Sequence, residues 1–144
     1  MAIRPARSRM SPEPICSPMP EFTSPYARTL GLTLSRATGR AVVTMPPGDG
    51  VSGRPGFLHG GAISGLLDFA AWVTLTDALD AEARIKPIGI TVDFMRGGKM
   101  EPAYASAQIV REGRRIANII ATAWQDDETK PIAAANLKFL IERT

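Results

Sequence analysis

The sequence predicts an α+β fold in which one long helix lies against an antiparallel β-sheet. Residues 61–79 are almost all apolar, and a helix that is apolar nearly all round is normally buried. The segments that follow alternate between apolar and polar residues, as half-buried strands do, and short polar turns separate them. Consecutive antiparallel strands form a sheet with one face on which the helix can lie.

Each strand is predicted from its own alternation. Two short strands are expected within residues 29–45, the first on leucines at positions 30, 32 and 34, with a turn at Gly39. After the helix, Pro87 begins a third strand, which places Ile88, Ile90, Val92 and Phe94 on one face. Three more strands are expected, in residues 103–110, 115–124 and 132–141.

The composition limits the class of protein and its partners. The 144 residues, 44% hydrophobic and 22% charged, fit one globular domain. Cys16 is the only cysteine, so no intramolecular disulfide can form, and a reducing, cytoplasmic location is expected. No apolar run reaches the ~20 residues that span a bilayer, so no membrane partner is expected. The net charge of +3, without basic residues interleaved with aromatic ones, predicts no nucleic-acid partner.

The beginning of the chain differs from the rest. Half of the 12 prolines fall within the first 25 residues, and proline blocks regular secondary structure. We predict that residues 1–20 are an extended or disordered arm and that residues 21–144 are the globular domain.

The spacing of one histidine and one aspartate is the strongest indication of function in the sequence. His59 is the only histidine, and Asp68, nine positions later, carries the only charge between Arg54 and Asp77. A carboxylate on a helix that is apolar nearly all round is costly unless it is paired, protonated or used in chemistry.

The segment from Leu58 to Asp68 resembles the acyl-CoA thioesterases of the hotdog fold, in the phenylacetate-pathway (PaaI-like) branch. In that family a His-Gly-Gly turn opens the central helix and an acid follows nine residues after the histidine. Residues 89–98, Gly-Ile-Thr-Val-Asp-Phe-Met-Arg-Gly-Gly, resemble the strand that follows the helix. The resemblance covers roughly residues 30–141 and implies a curved antiparallel sheet wrapped around the long central helix.

The resemblance implies hydrolysis of acyl-CoA thioesters to free acid and coenzyme A, without a metal or cofactor. Asp68 would be the nucleophile or the general base. The first N–H groups of a helix lack internal partners and favour developing negative charge, so the amide of Gly61 is the candidate donor to the carbonyl. His59 could act as a general acid or base, although a role in orienting the glycine turn is favoured. Thr91 matches a hydroxyl residue that helps to hold the attacking water.

The remaining predictions concern substrate binding and assembly. Gly61 and Asp68 are separated by about 10 Å along the helix, too far for both to act on one carbonyl. A site formed by two chains resolves this, in agreement with the family's dimer, so a homodimer is the minimal unit and a homotetramer is expected. The substrate-binding residues are predicted to be Gly60, Arg96, Gly97 and Gly98.

Two alternatives to the thioesterase remain open at this point: a hotdog hydratase or dehydratase, and a non-catalytic acyl-CoA-binding module. One position also departs from the family pattern. Related sequences often have an asparagine six residues before the histidine, where this chain has Gly53. The acyl group, and the choice between nucleophile and base for Asp68, are left open.

Overall fold

The computed structural model describes residues 24–143, so the predicted arm of residues 1–20 lies outside the described part. It contains two helices, six strands and a short 3-10 helix at Asp49–Val51. The helices are α1 (Pro25–Leu30) and α2 (Gly60–Ala78). The strands are β1 (Thr33–Ser35), β2 (Val42–Met45), β3 (Arg84–Phe94), β4 (Ala103–Glu112), β5 (Ile116–Trp124) and β6 (Ala133–Glu142).

The strands form one antiparallel sheet in the order β1-β2-β4-β5-β6-β3. Helix α2 lies across one face of this sheet and contacts every strand from β2 to β6. In β5 and β6 every second residue is buried against the helix, which is the alternation that the sequence predicts. The predicted α+β fold, with one long helix on an antiparallel sheet, is therefore confirmed.

Helix α1 corrects the prediction of a strand that begins at Thr29. Ser24 is its N-cap and accepts a hydrogen bond from the N–H of Ala27, and Pro25 occupies the first helical position. Gly31 ends the helix in the left-handed conformation (φ 71°). The alternation of leucines therefore corresponds to a strand only from Thr33 onward, because the capping residues Ser24 and Gly31 favour a short helix before it.

Strand β3 also begins earlier than predicted, at Arg84 instead of Pro87. Proline cannot donate a ladder hydrogen bond, and it is tolerated here because β3 is an edge of the sheet. The register shifts between Pro87 and Gly89, which places Ile88 at a bulge. From Gly89 on the predicted faces are correct: Ile90, Val92 and Phe94 stand opposite Leu137, Ala135 and Ala133 of β6, whose side chains are buried.

Helix α2 is apolar nearly all round, as predicted, and two of its sides are covered. The sheet covers one side, and α1 covers another at Gly65, where a Cβ atom would lie 2.9 Å from both Leu30 and Tyr26. A stripe on the remaining side is only half-buried and carries Ser64, Asp68 and Trp72 at helical spacing. Within residues 24–143, no helix combines the length and the apolarity that crossing a membrane requires.

Candidate active site

The site is built at the first turn of α2, where His59 is the N-cap residue. Its backbone is extended (φ −71°, ψ 135°), and its Nδ1 accepts a hydrogen bond from the N–H of Gly61 at 2.8 Å. The N–H of His59 donates to the carbonyl of Val51 at 2.8 Å, and its own carbonyl accepts from Ala62 and Ile63. The orienting bond that the sequence analysis favoured for His59 is present in the structure.

Gly60 is the first residue of α2, and its N–H has no acceptor among residues 24–143. The next N–H, of Gly61, is already bonded to His59, so Gly60 supplies the free donor at the positive end of the helix. A Cβ atom on Gly60 would lie 3.3 Å from Cζ of Phe94, so the absence of a side chain lets the Phe94 ring pack close to the backbone of Gly60. The assignment of Gly61 as donor to the carbonyl stays a prediction. For this role the N–H of Gly61 must give up its hydrogen bond to His59 and donate to the substrate instead.

The glycines predicted to bind substrate after β3 lie beside this turn and have a packing role. The carbonyl of Gly98 accepts the N–H of Leu58 at 2.8 Å, which ties the loop to the start of α2. A Cβ on Gly98 would lie 3.2 Å from Cδ1 of Leu58, and one on Gly97 would lie 2.8 Å from Cε1 of Phe57. Arg96 is exposed in the same loop. The structure therefore brings Gly97, Gly98 and Arg96 to the same end of the helix as Gly60.

Asp68 is half-buried on the open stripe of α2. Among residues 24–143, no hydrogen-bond donor or cation pairs with its carboxylate, and burial raises its pKa above the usual range. A carboxylate in this state is costly and a better proton acceptor than an exposed one. The catalytic role of Asp68 stays a prediction, and this environment is compatible with it.

Gly60 and Asp68 lie eight residues apart, or about 12 Å along the helix axis. One thioester carbonyl cannot contact both within a single chain. The acids, His59 and the other possible ligands in residues 24–143 form no cluster of three or more that could hold a metal ion. A single chain thus provides a hydrogen-bond donor at Gly60 and a possible base at Asp68, but it holds the two groups too far apart to act on the same carbonyl.

Thr91 does not join this arrangement. It pairs in register with Asn136, which is exposed and lies between the buried residues Ala135 and Leu137 of β6. Side chains alternate along strands, so Thr91 points to the face of the sheet away from α2 and Asp68. Its proposed contact with the attacking water stays a prediction that the geometry of this chain does not favour.

Gly53, the position that departs from the family pattern, packs closely against the backbone of His59. A Cβ atom at Gly53 would lie 3.1 Å from the Cα and 3.4 Å from the N of His59. Both are backbone atoms that the hydrogen bonds of His59 hold in place. An asparagine at this position therefore requires the backbone of His59 to shift by a few tenths of an ångström.

Sequence reasoning missed one aromatic residue of the site. Phe94 is 53% exposed, although it lies on the helix-facing side of β3, and its ring is packed next to Gly60. The alternation of β3 identifies its face, but only the register with β6 places it at the start of α2.

One long central helix across a single antiparallel sheet is the arrangement of the hotdog fold. The sequence model of the acyl-CoA thioesterase N-terminal domain family matches residues 50–140. The chain therefore belongs to this family, and it is a hydrolase of acyl-CoA thioesters.

Solved structures confirm the fold. A CoA-bound protein from Bacillus halodurans is 21% identical, with a TM-score of 0.78 over 85% of this chain and 82% of that one. A phenylacetic acid degradation-related protein from Ralstonia eutropha is 22% identical, with a TM-score of 0.72 over 86% and 92%. A thioesterase family protein from Silicibacter pomeroyi is 25% identical, with a TM-score of 0.75 over 84% and 91%. No curated protein matches the sequence.

Proposed function

We propose that hydrolysis takes place at a site shared by two copies of the chain, with the Gly60 N–H of one subunit facing Asp68 of the other. The observation that carries this proposal is the separation of a free donor and an unpaired acid along one helix. Both groups lack partners among residues 24–143, and no single substrate carbonyl reaches both within one chain.

The edge strand β3 is the surface through which the two copies are proposed to associate. It is 11 residues long, and its Ile88 and Ile90 are 52% and 47% exposed. A long edge with exposed apolar side chains is a template for pairing with another strand. Ile90 faces the helix side of the sheet, but α2 does not cover it. A second copy of the chain would cover this side chain.

Antiparallel pairing of two β3 edges supports the shared site. Within one chain α2 runs opposite to β3, because Gly60 lies against Phe94 at the end of β3 and Ala78 lies near its beginning. A two-fold axis at the β3 edges makes the two α2 helices antiparallel as well. The start of one helix then lies toward the middle of the other, where Asp68 is.

In the proposed reaction the Gly60 N–H binds the thioester carbonyl oxygen and stabilises the charge that develops on it. As a base, Asp68 takes a proton from water, the water oxygen bonds to the carbonyl carbon, and the C–S bond breaks. The proton then passes to the coenzyme A sulfur. As a nucleophile, the carboxylate would bond to the carbonyl carbon and the C–S bond would break, which releases the coenzyme A thiolate and leaves an anhydride that water then hydrolyses to the free acid and Asp68. Single turnover in ¹⁸O-labelled water places the label in Asp68 where water opens the anhydride at the Asp68 carbonyl, whereas direct attack by water never labels Asp68.

The substrate and the assembly complete the proposal. Acyl-CoA is the substrate, and Arg96, exposed beside the start of α2, is proposed to meet its phosphates. The dimer is proposed to pair into a tetramer in the cytoplasm. Residues 21–144 form the catalytic domain in this proposal, with residues 1–20 outside it.

Complementation tests the shared site. Gly60→Pro removes the free N–H, and proline is well accommodated at the first position of a helix after an extended residue such as His59. Gly60→Ala adds the same Cβ but keeps the N–H. We expect the proline variant to be about 10²-fold less active than the alanine variant.

Mixing Gly60→Pro and Asp68→Asn subunits in equal amounts should then restore about a quarter of the wild-type activity, because half of the dimers are hybrids with one intact site. Mass-tagged subunits confirm that exchange has occurred. Hybrid dimers without recovered acyl-CoA hydrolysis would contradict the shared site.

A further inference from the structure

The imidazole of His59 is held more firmly than its exposure suggests. Its backbone N–H, its carbonyl and its Nδ1 are all engaged in hydrogen bonds, to Val51, Ala62 and Gly61. Gly53 packs against its Cα atom. These contacts fix the backbone of His59, and the bond from the Gly61 N–H to Nδ1 orients the ring before any substrate arrives, as preorganised electrostatic stabilisation requires.

The bond to Gly61 also determines which nitrogen carries the proton. A backbone N–H is always a donor, so the Nδ1 that it meets must be an unprotonated acceptor. The proton of the neutral ring is then on Nε2. Among residues 24–143, this Nε2–H has no acceptor.

Two donors that have no partner within residues 24–143 thus belong to adjacent residues at the positive end of α2: the Nε2–H of His59 and the N–H of Gly60. The oxygen of a thioester carbonyl has two lone pairs and gains negative charge in the transition state. Sites that stabilise such an oxygen aim positioned donors, commonly a pair of them, at it.

We infer that His59 is a catalytic residue whose two nitrogens have separate functions. Nδ1 fixes the ring through Gly61, and Nε2–H donates the second hydrogen bond to the carbonyl oxygen that Gly60 binds. The proton stays on Nε2 throughout, so His59 is neither the general base nor the general acid. This inference rests on the proposed function, since it assigns a donor in the same site.

Two amide side chains separate the functions of the two nitrogens. In His59→Asn, Oδ1 takes the place of Nδ1 and can cap Gly61, but nothing reaches the position of Nε2. In His59→Gln, the amide reaches the position of Nε2 and can donate, but it is a poor helix cap. His59→Ala retains neither function and serves as the reference.

We expect His59→Asn to keep the wild-type Tm and to lose kcat by about 10²-fold, the effect of removing one donor to the oxyanion. His59→Gln should have a Tm several degrees lower, close to that of His59→Ala, and a kcat about tenfold or more above that of His59→Ala. Loss of kcat with an unchanged Tm is a result that a purely structural histidine does not produce.

The inference is overturned if His59→Asn hydrolyses acyl-CoA at the wild-type rate, or if His59→Gln is no more active than His59→Ala at a temperature where both are folded. The asparagine variant decides the question alone if the glutamine variant does not fold. Failure of the proposed function has a different signature: wild-type protein would release no thiol from acyl-CoA, or the Gly60→Pro and Gly60→Ala variants would be equally active.

Discussion

Two aspartates on α2 have opposite environments. Asp77, at the end of the helix, forms two hydrogen bonds with Arg36 from the loop after β1, Nε to Oδ2 at 2.9 Å and Nη2 to Oδ1 at 2.8 Å. Asp68, in the middle of the helix, is half-buried without a partner among residues 24–143, and its pKa is raised. The same side chain on the same helix is thus satisfied at one position and costly at the other.

The difference separates an acid that is paired within the chain from the acid that is proposed to be the base or nucleophile. The Arg36–Asp77 pair links the β1–β2 connection to the end of α2 and is accessible to solvent on both sides. Nothing in residues 24–143 offsets the desolvation of Asp68. The proposed role of Asp68 accounts for this uncompensated cost, because a base must keep its lone pairs free for the substrate.

The largest expected effect is on catalysis. Asp68→Asn keeps the shape of the side chain and removes the base, so kcat for acyl-CoA hydrolysis should fall by about 10²-fold or more. Asp77→Asn is the matched control and should retain the wild-type rate. Thiol release measured on folded protein checks both, and a folded Asp68→Asn protein with the wild-type rate would end the catalytic assignment.

The second effect is on stability as a function of pH. Because burial raises the pKa of Asp68, the folded state binds its proton more tightly than the unfolded state does. The charged carboxylate therefore destabilises the fold above the raised pKa, and this cost disappears as the pH falls through that pKa toward the unfolded value.

Asp68→Asn should accordingly have a higher Tm than the wild type at neutral pH, and the difference should vanish in acid. Thermal unfolding of both proteins from neutral to acidic pH measures it. A lower Tm of Asp68→Asn at neutral pH would instead indicate that the carboxylate has a stabilising partner.

The smallest effect is expected at the paired aspartate. Asp77→Asn weakens a pair whose side chains are 35% and 40% exposed, and exposed pairs of this kind contribute about 0.5 kcal/mol. The Tm should therefore fall by about 2 °C. Arg36→Gln should give a similar loss, and the double variant should lose little more than either single one. Additive losses would show that the two side chains stabilise the fold independently.

Local patterns of apolar and polar residues predict much of the fold. The apolar run of α2 and the alternation in β4, β5 and β6 predict these elements because helices and strands repeat their buried faces with fixed periods. The short helix α1 was missed because its signals, Ser24 before Pro25 and Gly31 after Leu30, compete with an alternation of leucines that continues into β1. The early start of β3 depends on its place at the sheet edge, which no local pattern records.

For the site, the sequence by itself determined the residue types and their spacing: a histidine and two glycines before a helix, and one acid nine residues later inside an apolar face. Tertiary structure decided which of these groups is free. It assigned the Gly61 N–H to His59 and left that of Gly60 open, and it turned Thr91 to the far face of the sheet. It also gave Asp77 a partner and gave Asp68 none among the described residues 24–143. The physical reason is that hydrogen-bond partners and burial depend on contacts between distant segments, whereas spacing along one helix is local.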